Sequence, residues 1–165
     1  MSKGRLLVAA PIALIAMTAA LAAACGSTGN VQDLELQDIS SGYFDEGVVN
    51  GENKIVPTIT FKLRNKGTAP VSTVQTNTIF QAEGADGPMD EVLTRAVGTD
   101  GVTPQQSTAS ITVRSTIGYT SQQPRAEMLK NSQFRDVRVK VFGKSGSGSW
   151  TLLGESVVDR RILTQ

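Results

Sequence analysis

The clearest alternation of hydrophobic and polar positions lies between Lys54 and Gln81. Apolar residues occupy every second position from Ile55 to Leu63, and the positions between them are mostly polar. Because successive side chains of a strand point to opposite faces, this pattern predicts a half-buried strand. Residues Asn65 to Pro70 are typical of a turn, and Val71 to Gln81 is a second run rich in Val, Thr and Ile. We predict an antiparallel hairpin here, against which the later segments pack.

Other strand patterns lie on both sides of this hairpin. They are a weak run from Val31 to Ile39, a short one from Glu91 to Val97, a regular alternation from Ala109 to Arg114, and two runs at Phe134 to Val141 and Ser149 to Leu163. The last two runs are expected to form a second hairpin, bulged or split near Gly154, because glycine in a strand often marks a bulge. Ser40 to Asn53 contains three glycines and three acids and is predicted to be a loop.

One segment departs from the β pattern. Pro124 begins a stretch, ending at Lys130, of residues that favour helices, and Pro suits the first helical position. The prediction for 124–130 is one short helix. With about seven strands separated by turn signals, the fold class expected is an all-β, immunoglobulin-like antiparallel β-sandwich.

The N-terminus has the pattern of a secretory signal. Met1 to Arg5 is basic, Leu6 to Leu21 is apolar and rich in Ala, and small residues follow. A retained transmembrane anchor is the alternative, since the run approaches ~20 residues. Pro11 within the run, and the lack of Lys or Arg directly after it, favour a cleaved signal over residues 1–24.

The five residues Leu21-Ala22-Ala23-Ala24-Cys25 resemble the bacterial lipobox. In that family Leu usually stands three places before the cysteine, where this chain has Ala22. The resemblance implies that Cys25 is lipidated and becomes the first mature residue, with a tether at 25–30 and a domain at 31–165. Two or more acyl chains hold a protein stably at a membrane. Because Gly26 and not aspartate follows the cysteine, the resemblance also implies the outer membrane, facing the periplasm, in a Gram-negative cell.

A second resemblance concerns the predicted hairpin. The run Phe-x-Leu-x-Asn-x-Gly-x-x-Pro-Val, from Phe61 to Val71, is similar to a hairpin of bacterial adhesion-type and stress-related sandwich modules. It covers two strands and implies no functional residue.

Composition removes several classes of function. The 16 basic and 15 acidic residues give a net charge of +1, whereas nucleic-acid-binding domains are usually clearly basic. The chain has no His, the commonest general base and metal ligand, and its one Cys cannot form an internal disulfide. We therefore expect no enzyme, no metal and no cofactor.

Two apparent catalytic motifs fail on their context. Gly143-Lys144-Ser145 is similar to the end of a phosphate-binding loop, but Arg138 stands where that motif needs glycine, and the chain continues as a strand instead of a helix. The carboxylate pairs Asp45-Glu46 and Asp90-Glu91 are adjacent in predicted loops, so we interpret them as solubilising charges and not as an acid–base pair. A calcium site at Asp45, Glu46 and Glu52 is disfavoured because these acids lack Asp-x-Asp spacing.

Three surfaces remain as candidates for binding. A polar, mildly basic docking face is expected if two predicted strands pair; it comprises Thr58, Thr60, Lys62, Arg64, Ser110, Thr112 and Arg114. Cross-strand pairing explains the same residues by sheet stability alone. Trp150 is either a ligand-stacking platform or part of the core, and Arg160-Arg161 either contact a partner or end a strand in solvent.

The sequence thus favours a membrane-anchored cell-envelope lipoprotein that acts as a non-enzymatic binding or scaffolding module. Its expected partners are the membrane, through Cys25, and another envelope protein, with no nucleic acid. The alternative is a periplasmic ligand-binding lipoprotein, which would recognise carbohydrate around Trp150.

Overall fold

The computed structural model describes residues 28–163, so the predicted leader and Cys25 lie outside the described residues. A 3₁₀ turn at Val31–Asp33 precedes nine strands and one short helix. In chain order these are β1 (Leu34–Val49), β2 (Glu52–Asn65), β3 (Val74–Ala82), β4 (Asp90–Val97), β5 (Ile111–Arg114), β6 (Tyr119–Ser121), α1 (Arg125–Met128), β7 (Val137–Ser145), β8 (Thr151–Val157) and β9 (Ile162–Leu163).

The strands form two sheets whose inner faces share one core. One sheet has the order β5-β2-β1-β9, with β6 also paired to β2, and the other has the order β4-β3-β7-β8. All pairs are antiparallel except β1 with β9. The prediction of an all-β sandwich with little helix is confirmed at this level.

The predicted hairpin between β2 and β3 is wrong, because the two strands lie in different sheets. β2 pairs with β1, whereas β3 pairs with β4 and β7. The residues between them carry the chain from one sheet to the other. The buried Asn65 side chain holds this crossing: its amide donates to the carbonyls of Ala69 (2.8 Å) and Val102 (2.9 Å) and accepts from the Gly67 N–H (2.9 Å).

The loop predicted at Ser40 to Asn53 is also wrong. β1 and β2 form a long hairpin joined by only two residues, Asn50 (φ 52°) and Gly51 (φ 83°). Positive φ at both positions is what the hairpin turn of type I′ requires. Gly42 is needed for packing, since a Cβ there would come within 2.8 Å of the Leu163 side chain.

The core confirms the inward row predicted for β2. Ile55, Ile59, Phe61 and Leu63 are at most 1% exposed, and they pack with inward residues of β3 and β7. These partners include Val74, Phe80, Val137, Val139 and Val141.

The remaining local predictions hold in part, because the run predicted at Ser149 to Leu163 is divided: Thr151–Val157 is β8, whereas Ile162–Leu163 is β9 and pairs with β1 in the other sheet. β7 and β8 form the predicted second hairpin, and its register shifts where Val141 faces Gly154 and Phe142 faces Leu152. The expected bulge is therefore present. The helix is shorter than predicted, and Pro124 precedes it as the N-cap residue.

Candidate functional surfaces

The predicted docking face contains one residue that cannot take part in docking. β2 and β5 pair as the sequence suggested, with Thr58 opposite Arg114 and Thr60 opposite Thr112. Thr58 is nevertheless only 2% exposed, so its place on an accessible face is a wrong prediction. Val56 on the same face is buried too, opposite Phe44 of β1. Local packing explains the burial of Thr58. Arg114, which pairs with Thr58 across the strands, places its guanidinium 3.5 Å from the Phe44 ring centroid.

Other polar groups of this face interact within the chain. The Lys62 ammonium lies 2.8 Å from the Asp38 carboxylate, and the Thr60 and Thr112 hydroxyls are 2.9 Å apart. Arg64 contacts Glu35 at 3.9 Å. Such cross-strand pairs stabilise a sheet. Ser110 is exposed beside them.

The two acidic pairs also serve the fold. Asp45 accepts a hydrogen bond from the Arg125 guanidinium, which ties α1 to β1, and Glu46 lies 3.0 Å from the Lys54 ammonium. Asp45 and Glu46 are strand residues and not loop residues. Within residues 28–163, no group of three or more acidic or cysteine side chains is placed to hold a metal ion.

Asp90 is a structural carboxylate. It accepts hydrogen bonds from the Ser115 hydroxyl (2.9 Å), the Thr116 N–H (2.6 Å) and the Thr116 hydroxyl (3.0 Å), and so connects β4 to the segment after β5. Burial alone would raise the pKa of this carboxyl, but the hydrogen bonds outweigh it and the pKa lies below its usual value. Asp90 is therefore ionised at neutral pH and is not poised as a general acid.

Trp150 precedes β8 and is 40% exposed. The Lys144 ammonium lies 4.8 Å from its ring centroid, a cation–π distance. A sugar that stacks on this face of the indole would have to displace the lysine. Lys144 itself belongs to β7, and Gly143-Lys144-Ser145 forms the end of that strand, as expected for a segment that is not a phosphate-binding loop.

The arginine pair near the C-terminus holds the last segment of the chain in place. Arg160 contacts the Asp136 carboxylate at 2.6 Å and donates to the carbonyls of Leu129 and Phe134. Arg161 donates to the Ser41 carbonyl at 2.7 Å. The contacts of Arg161 place β9 beside β1, and those of Arg160 connect the same segment to the residues between α1 and β7, which accounts for both arginines without a lipid or a partner.

The sequence interpretation missed an apolar stripe on the outer face of the four-stranded sheet. One row of residues runs in register across this sheet. Leu93 of β4 pairs with Asn77 of β3, Asn77 pairs with Phe142 of β7, and Phe142 pairs with Leu152 of β8. Leu93 is 69% exposed and Leu152 is 49% exposed. We call Leu93, Phe142 and Leu152 the apolar stripe. Its signal in the sequence was an apolar residue at an outward position of each of three strands.

A small cleft lies between β6 and α1. Its floor contains the rings of Tyr119 and Phe134, whose centroids are 4.5 Å apart, and its rim includes the amides of Gln123, Asn131 and Gln133. Tyr43 packs behind Phe134, with centroids 5.1 Å apart. Burial raises the pKa of the Tyr43 hydroxyl far above its usual value, so this group stays neutral.

Comparison with protein-family models, with curated proteins and with solved structures found no match to this chain. Between Thr28 and Leu163, none of the helices is long and apolar enough to cross a membrane.

Proposed function

We propose that this protein is a cell-envelope lipoprotein, anchored through Cys25, whose sandwich domain binds another envelope protein and catalyses no reaction. In a Gram-negative cell the proposed location is the outer membrane, facing the periplasm. The lipobox resemblance supports the anchor. The apolar stripe is the observation that supports the binding role.

We also propose that the sandwich is immunoglobulin-like. Two features support this: the chain crosses between sheets after β2, and β3 and β7 are central neighbours in the second sheet while β2 and β5 pair in the first. Crossed connections of this kind are typical of Greek-key sandwiches. Domains of this type commonly carry their binding function on a sheet face or on loops.

The chemistry of the stripe suits a protein partner. Single exposed apolar residues are ordinary, but several apolar residues on one sheet face beside charges are typical of an interaction site, and here Asn77 alone separates Leu93 from Phe142 and Leu152. The next row along the same face is Glu91, Ile79, Lys140 and Glu155. Charges of both signs beside an apolar row can fix the register of a partner, while the row itself supplies the apolar contact.

The test replaces the two most exposed members of the stripe. Leu93→Lys with Leu152→Lys should abolish capture of the partner by the intact lipoprotein, because two ammonium groups would have to be desolvated in the contact. The matched control is Ile39→Lys with Ile117→Lys, since these residues are 44% and 50% exposed elsewhere. Circular dichroism checks that both variants keep their fold.

The outcomes separate two surfaces. If capture survives the stripe variant and is lost with Lys62→Glu and Arg114→Glu, the polar face predicted from the sequence is the docking surface. If all these variants still capture the same partner, the binding role of both sheet faces is refuted. A hydrolytic or transferase activity that one substitution removes would contradict the non-enzymatic proposal.

A periplasmic ligand-binding lipoprotein is the second candidate, and the cleft at Tyr119 and Phe134 favours it more than Trp150 does. Aromatic rings beside side-chain amides can stack on a sugar and bond its hydroxyls. Asn131→Ala with Gln133→Ala should then abolish binding on an array of envelope oligosaccharides. Trp150→Ala is the comparison: loss of binding only in that variant would place the ligand at the β7–β8 connection instead.

A further inference from the structure

The connection between β7 and β8 lies at the same end of the domain as the first described residues. Gly29 is fixed there, because its N–H donates to the Pro70 carbonyl at 2.8 Å. A Cβ on Gly29 would come within 2.6 Å of the Ala69 carbonyl, so the backbone is closely packed at this point. Residues 28–32 line one cleft together with Ser145, Gly148, Ser149 and Thr151.

The length of chain between Gly29 and Cys25 limits how far this end can be from a lipid anchor. Three residues separate the two positions, so the chain takes four Cα-to-Cα steps between them. At the maximum of about 3.6 Å per residue they reach no more than about 14 Å. The headgroup layer on one side of a bilayer is about 5–8 Å thick, and it takes up about half of that reach. A domain anchored at Cys25 therefore holds this end against the membrane.

The residues at this end have the chemistry of a membrane interface. The indole of Trp150 is 40% exposed, and the Lys144 ammonium lies over it at 4.8 Å. Tryptophan favours the boundary between hydrocarbon and headgroups, because its ring is apolar and its N–H needs a polar partner. A lysine beside it can contact lipid phosphate. The residues between them are only serine and glycine, with no acid to repel the phosphates.

We infer that the tip from Lys144 to Trp150 contacts the phospholipid surface to which the chain is anchored, with Trp150 in the headgroup region and the Lys144 ammonium on lipid phosphate. This inference rests on the proposed anchor at Cys25. The contact fixes the orientation of the domain: the Asn50–Gly51 turn, at the other end of the β1–β2 hairpin, points away from the membrane.

The single tryptophan of the chain makes this contact measurable. The full chain purified from membranes is reconstituted in phosphatidylglycerol–phosphatidylcholine vesicles, and its fluorescence is recorded. We expect tryptophan emission at a shorter wavelength than the same protein gives in solution without lipid or detergent. We also expect strong quenching by brominated phospholipid and weak quenching by aqueous acrylamide. Lys144→Glu should reverse the preference between the two quenchers.

The control moves the fluorophore to the far end of the molecule. Trp150→Phe with Val48→Trp places one tryptophan beside the Asn50–Gly51 turn, at a residue that is 65% exposed. In the same vesicles this variant should be quenched by acrylamide and not by brominated lipid. If the wild-type protein behaves like this variant, the tip does not touch the membrane and the inference is overturned.

Mass spectrometry of the mature N-terminus distinguishes failure of the proposed anchor from failure of the tip contact. If Cys25 proves to carry no acyl chain, the proposed anchor is refuted, and its free thiol, the only one in the chain, is coupled to maleimide-bearing phospholipid in the same vesicles. Quenching by brominated lipid in that coupled protein would show that the tip has affinity for phospholipid. Quenching by acrylamide alone would overturn the affinity of the tip as well.

Discussion

The sharpest test of the fold is Asn65→Asp, which changes one amide into a carboxylate of nearly the same shape. Asn65 is fully buried at the crossing between the two sheets. Its amide nitrogen donates to two backbone carbonyls, those of Ala69 at 2.8 Å and Val102 at 2.9 Å. A carboxylate has no donor. The substitution therefore places negative oxygen against two carbonyl oxygens in the interior, while the bond from the Gly67 N–H survives.

The expected loss of stability follows from the number of bonds removed. Each lost hydrogen bond costs about 0.5–1.5 kcal/mol, so the two together cost about 1–3 kcal/mol, since the Val102 carbonyl keeps its bond from the Val71 N–H (3.1 Å). A small domain has about 5–15 kcal/mol in total. The loss should shrink in mild acid, because a protonated carboxyl can donate one of the two bonds.

Urea unfolding at neutral pH, followed by circular dichroism and extrapolated linearly, measures the difference. The control is Asn131→Asp, an exposed position where the side-chain oxygen accepts from the Gln133 N–H at 2.9 Å. A carboxylate accepts the same bond, so the change should stay within about 0.5 kcal/mol. If the two substitutions have equal effects, Asn65 does not hold the crossing and the argument is refuted.

Three further predictions follow from other parts of the chain. Phe61→Ala should lower the free energy of unfolding by about 3–5 kcal/mol, as expected for a buried aromatic, and Thr60→Ala by less than ~1 kcal/mol; equal losses in urea unfolding would contradict the assignment of inner and outer faces. Asp90→Asn should cost about 1–3 kcal/mol at neutral pH. The pKa of Asp90 is lower in the folded state than in the unfolded state, so its stabilisation is complete above the unfolded pKa of about 3.9 and is lost as the pH falls through the folded pKa. The stabilities of the wild type and of Asp90→Asn should therefore converge in strong acid. A constant difference between them in an acid titration would argue against this. Cys25→Ser should remove the protein from the detergent phase or leave an unprocessed precursor, and an unacylated mature Cys25 in the wild type would refute lipidation.

Local patterning was sufficient for much of the fold. The alternation in β2, β5 and β7 depends only on which side chains face the core, and each of these strands is where the pattern placed it. The bulge at Gly154 could also be predicted, since a glycine within an apolar strand pattern often marks a bulge. Strand pairing is a different kind of information. The turn residues after Asn65 suit a hairpin and a crossing between sheets equally well, and the bond that decides joins Asn65 to Val102, 37 residues away.

The error in β1 was avoidable. Asn50-Gly51 is the dipeptide most typical of a two-residue hairpin turn, and it stands between Val49 and Glu52. The glycines and acids around it suggested a loop because they are rare in regular strands. In the structure they have separate reasons: Gly47 has φ 85° at a register shift, and Asp45 and Glu46 pair with cations.

Strand pairing also explains why the sequence suggested a docking face at Lys62 and Arg64. The sequence predicted a weak strand at Val31 to Ile39 but no pairing of that strand with β2, so Lys62 and Arg64 were expected to be free charges on a docking face. In fact β1 lies directly beside β2, with Glu35 opposite Arg64 and the Asp38 carboxylate 2.8 Å from the Lys62 ammonium, so both cations have partners within the sheet. Among residues 28–163 nothing covers Leu93 on the outer face of the other sheet in this way, and this residue is 69% exposed. Whether a partner can reach an outward row of side chains thus depends on the side chains of the neighbouring strand. Strand pairing determines which strand is the neighbour, whereas the alternation within one strand does not.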